Sequence, residues 1–344
     1  MKITSIRAIQ PPTPGSPPDW RTQLGQIVVE IRTDDGLRGI GVGGGGAAGI
    51  HIVETVLSDL LLGEEATAVE QLHAKMLDHT EFYGRSGLVV MAISGVDLAL
   101  WDLRGKAAEQ PIARLLNSEV DLQAALPTYV TVFGPTDTED ALLRGHRAVK
   151  LHVERFGHPP EVAAIASHVA EVRAALGQDG MLMLDAFARW DVKTSQHVAE
   201  AVERFNLAWL EEPLRPSDFS GYAYLRDHSP VAIAGGEHEY LASGFQNLID
   251  HELHAVLQPD INWCGGMTTM IEIYQMAKTA NVRVVPHRGV EPYALAAIAA
   301  FDPQPLAESP RTWFSCLKGV PQIEAGCVQV VDRPGFGVDF EWPI

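Results

Sequence analysis

Between Gly180 and Asp260 the chain reads GMLMLDAF (180–187), LAWLEEP (207–213), VAIAGGEH (231–238) and HAVLQPD (254–260), four short apolar runs that each carry a carboxylate at or near the end. The residues between them have helical periodicity, as in TSQHVAEAVERFN (194–206) and GFQNLIDHE (244–252). A short apolar strand, a polar residue at its end and an amphipathic helix make one βα unit. Working outward, LPTYVTVF (126–133) and HRAVKLHV (146–153) precede the series, and VRVVPH (282–287) and PLAES (305–309) follow it. Alternation over this length predicts an α/β fold with a parallel sheet, and eight strands predict closure into a β/α (TIM-like) barrel over residues 126–321.

The polar residues at the strand ends are Lys150 and His152, Asp185, Glu211, Glu237, Asp260, His287 and Glu308. From Asp185 onward they recur every 21 to 27 residues, one βα unit apart. Residues so spaced converge on the mouth at the C-terminal ends of the strands, where such barrels place their active sites. Asp185, Glu211 and Glu237 come from adjacent strands and include no Cys or His. They make a hard, all-oxygen cage suited to Mg²⁺, with room for water and a bidentate substrate carboxylate. Any one acid alone would be read as a helix cap or a solvated loop residue; three at matched positions argue against that.

His287 has a suitable intrinsic pKa for a general base, and Asp260 on the neighbouring strand can fix its tautomer. Lys150 is expected to touch a substrate carboxylate. His152 lies two residues on and points to the same side. It is either a second acid/base group across the substrate or a residue that only binds substrate. Glu308 is a proton donor if protonated, and otherwise a plain strand-end acid. Glu212 and His238 each neighbour a proposed ligand. They are expected to support the site from behind, and His238 to contact substrate if its strand has already ended. Removing a proton α to a carboxylate requires stabilising a dianionic enediolate, which Mg²⁺ and a Lys ammonium do increasingly as charge develops.

Residues 1–125 read differently. Lys2–Ile9, Gln26–Arg32 and Leu37–Val42 alternate as strands, and Ile50–Leu62, Ala68–Asp78 and Gly87–Gly105 have helical patterns. This is an α+β capping domain, to which 322–344 is expected to return as strands with a Pro334-Gly335 turn. Trp20 and Arg21 are expected at the barrel mouth as substrate-binding residues. The run GIGVGGGGAAG (39–49) contains a formal G-x-G-x-x-G, but its strand comes from a hairpin through Asp35-Gly36. A mobile loop closing over the mouth is expected there in preference to a dinucleotide site.

Many of these stretches resemble one known family, the mandelate racemase branch of the enolase superfamily. They include AISGVDLALWDLRGKAAEQPIARLL (92–116), RAVKLH (147–152), LMLDA (182–186), WLEEP (209–213), GGEH (235–238), LQPD (257–260), GGMTT (265–269) and VVPH (284–287). The resemblance implies a modified (β/α)7β barrel with a capping domain. It also implies Mg²⁺ on Asp185, Glu211 and Glu237, and an acid/base pair of Asp260 and His287. DINWCGGMTTMIEI (260–273), VVPHRGVEPYA (284–294) and DRPGFGVDF (332–340) are similar to acid-sugar dehydratases of the L-rhamnonate dehydratase type. Lys150-Leu151-His152 departs from the usual Lys-x-Lys, and the segment Pro11–Gln23 is shorter than in that type. A homo-oligomer, dimer to octamer, is the expected assembly.

With 44 acidic and 26 basic residues the formal charge is −18, which argues against nucleic acid or an anionic membrane surface as partner. The three cysteines, Cys264, Cys316 and Cys327, lack Cys-x-x-Cys spacing, and the N-terminal MKITSIRAIQPP lacks an apolar signal core. A cytoplasmic enzyme acting on a small carboxylate is the expectation. Dehydration of a sugar acid is the first reading, racemisation, epimerisation or cycloisomerisation the second, and a noncatalytic sugar-acid-binding barrel the third.

Overall fold

The computed structural model describes residues 1–12, 23–156, 160–310 and 316–342. Trp20 and Arg21 lie outside the described residues. The chain opens with an antiparallel sheet of β1 (Ile3–Ile9), β2 (Ile27–Thr33) and β3 (Arg38–Gly43), paired in that order. One face of β3 lies directly on the 20-residue helix Leu88–Ala107. A Cβ on Gly41 would overlap the carbonyl of Gly95, and one on Gly43 would overlap that of Met91. Alternate glycines in the strand, facing one side of the helix, therefore let the two backbones touch. The expected mobile glycine loop is corrected accordingly. Residues 39–43 are strand, and 46–61 are helical after a turn at Gly44 and Gly45. Gly44 still reaches the barrel, beside the indole nitrogen of Trp263.

Helix Leu88–Ala107 is apolar nearly all round because it is covered on both sides, by β3 and by the barrel helix Gly266–Ala280. Its buried polar residues make that second contact. Asp97 accepts from the backbone N–H of Thr268 (3.0 Å) and from its hydroxyl (2.6 Å), and Ser94 Oγ accepts from Gly265 N (2.9 Å). A carboxylate here satisfies N–H groups that the first turn of a helix leaves unpaired. Asp102 joins three segments, accepting from Ile40 N and Phe336 N (both 2.9 Å) and from Lys106 Nζ.

The barrel strands are β4 (Leu126–Val132), β5 (Ala148–His152), β6 (Met181–Asp185), β7 (Leu210–Glu211), β8 (Ile233–Gly235), β9 (Val256–Leu257), β10 (Arg283–Val284) and β11 (Ala307–Glu308). Strands β4 to β10 pair in sequence order, all parallel, and β11 pairs back with β4. The interior is floored by one apolar side chain from each strand or its flank, Tyr129, Met183, Trp209 and Val256 among them. The charged residues sit above this floor. Register sets their height: His152 pairs with Asp185, and Asp185 with Glu211.

The C-terminal segment divides its contacts. A hairpin of β12 (Ile323–Glu324) and β13 (Cys327–Val328) adds to the barrel through the start of β4, whereas Phe336 and Asp339 reach the first module at Asp102 and Arg38. The expectation that all of 322–344 returns to that module is corrected. The antiparallel edge of β4 takes the hairpin first.

Candidate active site

Local sequence explains why the strand-end residues turn into the mouth. Proline has no N–H for the ladder, so the strands in LEEP, LQPD and VVPH end before the proline, although His287 N still reaches Pro259 O at 3.1 Å. Glu212, before Pro213, takes φ +36°, so the strand has ended and its side chain leaves the alternation of Leu210 and Glu211. On β5 the alternation persists, and Lys150 and His152 share the inner face.

Lys150 is the centre of one half of the site. Its Nζ hydrogen-bonds Glu211 Oε1 and lies 2.9 Å from Glu308 Oε1 and 3.4 Å from Asp185 Oδ2. The other oxygen of each acid is tethered. Glu211 Oε2 accepts from Trp209 Nε1 (3.0 Å) and Gln258 Nε2 (2.6 Å), Asp185 Oδ1 from Phe187 N (2.9 Å), and Glu308 Oε2 from Arg288 N (2.8 Å). His287 is the centre of the other half. Its Nδ1 is 3.1 Å from Asp260 Oδ2, and its Nε2 is 3.0 Å from Glu237 Oε2 and 3.8 Å from Glu308 Oε2. His152 stands at the edge, with Nε2 4.0 Å from Asp185 Oδ2 and its ring between Phe133 and Phe187.

Electrostatics follow from six buried carboxylates facing few cations. Burial drives the Lys150 ammonium down, but Glu211, Glu308 and Asp185 outweigh it and hold the pKa well above the usual range. Burial pushes Glu211 up, and Asp185, Glu308 and Glu237 add to this against Lys150, so that its carboxyl reaches about 7. Glu308 goes the other way. Burial would raise it, yet Lys150, Arg288 and His287 hold it well below the usual carboxylate range. This arrangement favours the carboxylate form of Glu308. Burial also lowers His287, but Glu237, Glu308 and the Asp260 hydrogen bond raise it further.

A metal can be tested against these donors. Among the described residues the tightest group of possible ligands is Glu212, Glu237 and His238, with ligand atoms within 4.8 Å of one another. Glu212 and His238 are already bonded to each other at 2.8 Å. Burial opposes charge on His238, but Glu212 and Glu237 push its pKa up to about 10. Asp185, Glu211 and Glu237 offer only oxygen, and no histidine or thiol interrupts the set. A hard divalent cation fits this set better.

Trp209, Gln258, Arg288, Phe133 and Phe187 were not expected in the site from sequence. Trp209 and Gln258 lie two residues before Glu211 and Asp260, so the period of a strand was the available signal. Phe133 and Phe187 carry no such signal.

Residues 136–343 match the enolase C-terminal domain-like family, and residues 19–117 match the mandelate racemase/muconate lactonizing enzyme N-terminal domain family. The chain belongs to the enolase superfamily. An L-rhamnonate dehydratase from Saccharopolyspora erythraea is 34% identical over 92% of this chain and 83% of its own length. Two solved structures show the same likeness. The 3,6-anhydro-D-galactonate cycloisomerase of Zobellia galactanivorans has a TM-score of 0.87 at 31% identity, covering 99% of this chain and 97% of its own. A racemase from Streptomyces coelicolor A3(2) with bound magnesium has a TM-score of 0.86 at 29% identity, covering 98% and 97%. These superfamily relatives share one architecture, a β/α barrel with an N-terminal capping domain. Membership makes the chain a magnesium-dependent enzyme of carboxylate chemistry, with dehydratases, racemases and cycloisomerases among its relatives.

Proposed function

We propose that this enzyme is an acid-sugar dehydratase that converts a 2,3-dihydroxy acid to a 2-keto-3-deoxy acid. The observation that carries the reading is His287, held by Asp260 through Nδ1 and presenting Nε2 to the carboxylate cluster. Asp185, Glu211 and Glu237 would hold Mg²⁺, which supplies positive charge to the substrate carboxylate and to the charge that develops on it. Lys150, bonded to Glu211 and beside Asp185, would share that task. His287 Nε2 takes the C2 proton, and the electron pair of the broken C–H bond moves toward C1 as the enediolate forms. The C3–O bond then breaks, the hydroxyl takes a proton from His287 and leaves as water, and the enol product ketonises. One side chain serves both transfers when the C2 proton and the C3 hydroxyl lie on one face.

The α+β module acts as the cap of this site in the same reading, supported by Gly44 against Trp263 and by Asp97 at the barrel helix. Racemisation keeps one observation in its favour, the placement of His152 beside Asp185 in the same mouth. Incubating the enzyme and Mg²⁺ with a panel of aldonic and aldaric acids tests the proposal. A 2-keto-3-deoxy acid is the expected product. Epimers or lactones without loss of water would replace dehydration by the second reading.

A further inference from the structure

The loop that carries Asp260 is a tight, buried turn. Asp260 O accepts from Trp263 N (2.9 Å) and Cys264 N (2.8 Å), and Asp260 Oδ1 from Asn262 N (2.9 Å). Asn262 Nδ2 donates to Glu291 Oε2 (2.8 Å), on the turn that follows His287. Cys264 O accepts from Leu241 N (2.8 Å), on the turn that follows Glu237. Of residues 260–266 only Trp263 is not fully buried.

At its far end this loop enters the helix Gly266–Ala280, and the helix cannot cap itself. Its N-cap is Gly265, with no side chain to accept from the first turn. No larger residue fits there, because φ is +124° and a Cβ would lie 2.3 Å from Thr269 Oγ1. The N-terminal domain supplies the missing partners. Asp97 accepts from the N–H and hydroxyl of Thr268, Ser94 Oγ accepts from Gly265 N (2.9 Å), and His73 Nε2 lies 3.0 Å from Gly265 O. Both backbone groups of Gly265 are therefore bonded to side chains of the other domain. Ser94 is fully buried, and its own hydroxyl donates to Val90 O (2.8 Å), which leaves its oxygen to accept from Gly265.

We propose that Ser94 is a positioning residue for the Asp260–His287 pair, acting from the N-terminal domain through Gly265. The proposal rests on the reading of His287, held by Asp260, as the base. The two bonds to Asp260 O close the turn just before Gly265, so a shift at Gly265 is passed back to Asp260 and not absorbed on the way. Alanine at position 94 leaves a buried N–H without its acceptor, and the loop must move for that group to find another. A misplacement of about 1 Å caused far from the chemistry costs about 10²-fold, so a partial shift should cost about tenfold.

The test is a cycle of Ser94→Ala, Asp260→Asn and the double variant, read as kcat on an acid that the wild-type enzyme converts. Product is collected over hours, so that a rate about 10⁴-fold below wild type is still measured. Ser94→Ala is expected to lower kcat about tenfold alone and less than about threefold beside Asp260→Asn, since the residue it acts through is then already changed. Its Mg²⁺ affinity, by titration calorimetry, is expected to stay within about threefold of wild type, which separates Asp260 from the route through Cys264 and Leu241 to Glu237. Alanine is the better helix former, so loss of folding is not the expected effect. Tyr293→Phe is the comparison. It removes another buried bond between the same two domains, from Tyr293 Oη to Ile40 O (3.1 Å), and is expected to lower Tm and keep kcat. The same loss from Ser94→Ala in both backgrounds, a kcat within about threefold of wild type, a tenfold loss of Mg²⁺ affinity, or an equal fall in Tyr293→Phe would overturn the proposal. The base reading fails separately, if Asp260→Asn itself keeps the wild-type kcat.

Discussion

Asp260→Asn separates the role of His287 as a base from its role as a ring filling space. Asp260 is fully buried, with Oδ1 accepting from Asn262 N at 2.9 Å and Oδ2 facing His287 Nδ1 at 3.1 Å. An Asn that keeps the first bond turns its amide NH₂ toward Nδ1. Nδ1 must then accept, which puts the ring proton on Nε2, the atom that faces Glu237 and Glu308 and has to take the C2 proton. General-base catalysis contributes about 10²- to 10⁴-fold, so kcat should fall by that factor, or about 2.7–5.4 kcal/mol at 1.36 kcal/mol per tenfold. The fold should survive, because the two side chains have nearly the same shape. The pH profile supplies the sign. His287 works as a base above its pKa, and Asp260 is one of the groups that raise that pKa. Its loss should move the rising limb of residual activity to lower pH. Product formation at saturating substrate, read by trapping the 2-keto acid across pH 5 to 9, measures both effects. A kcat within about threefold of wild type, with the limb unmoved, would refute the positioning argument.

Other expectations follow from the same contacts. Lys150→Met should abolish turnover and, in chelator, cost about 3–5 kcal/mol in urea unfolding, since it strips the cation shared by three buried carboxylates; a loss under about 1 kcal/mol would show that this charge is not needed for folding. Chelation should stop turnover reversibly, and Mg²⁺ at 100 times its Kd should stabilise the fold by about 2.7 kcal/mol, whereas an unchanged Tm would count against the oxygen cage. Glu30 has a fully buried side chain whose pKa burial would raise, but Arg32 and Arg7 hold it below the usual range. Its stability contribution is therefore present above the unfolded pKa and lost as pH falls through the folded one. Glu30→Gln should be less stable than wild type at pH 7 and converge with it near pH 3, a convergence that Tm measurements at the two values would show or deny.

The barrel was legible because its signal repeats: an apolar run, a polar end and a helix, renewed every unit from Leu126 to Glu308. Helix Pro292–Phe301 falls on the residues its periodicity predicts. Helices Pro135–Leu143 and Phe219–His228 were not singled out, since the first is short and acid-rich and the second mixes apolar and polar residues without a clear face. The glycines of β3 show the limit of a motif. Gly-x-Gly-x-Gly is the same string whether it frees a loop or lets a strand lie on a helix, and only the helix at Met91, Gly95 and Ala99 decides. Strand ends gave the charged residues, because their position is a matter of period. The pull on Glu308 toward the carboxylate was not legible, because it depends on Lys150 from β5 and Arg288 just past β10 meeting it in space. Nothing in the order of residues brings Phe133 and Phe187 beside His152.

The most direct test of the account is deuterium exchange at C2, followed by NMR in D₂O with Mg²⁺ and an acid that the wild-type enzyme converts, for wild type, His287→Asn and His152→Asn. The account predicts a 2-keto-3-deoxy acid from wild type. It predicts neither exchange nor product from His287→Asn, and dehydration retained in His152→Asn. Deuterium at C2 with inversion and no loss of water would contradict dehydration, and an unchanged rate in His287→Asn would remove the base on which every step depends.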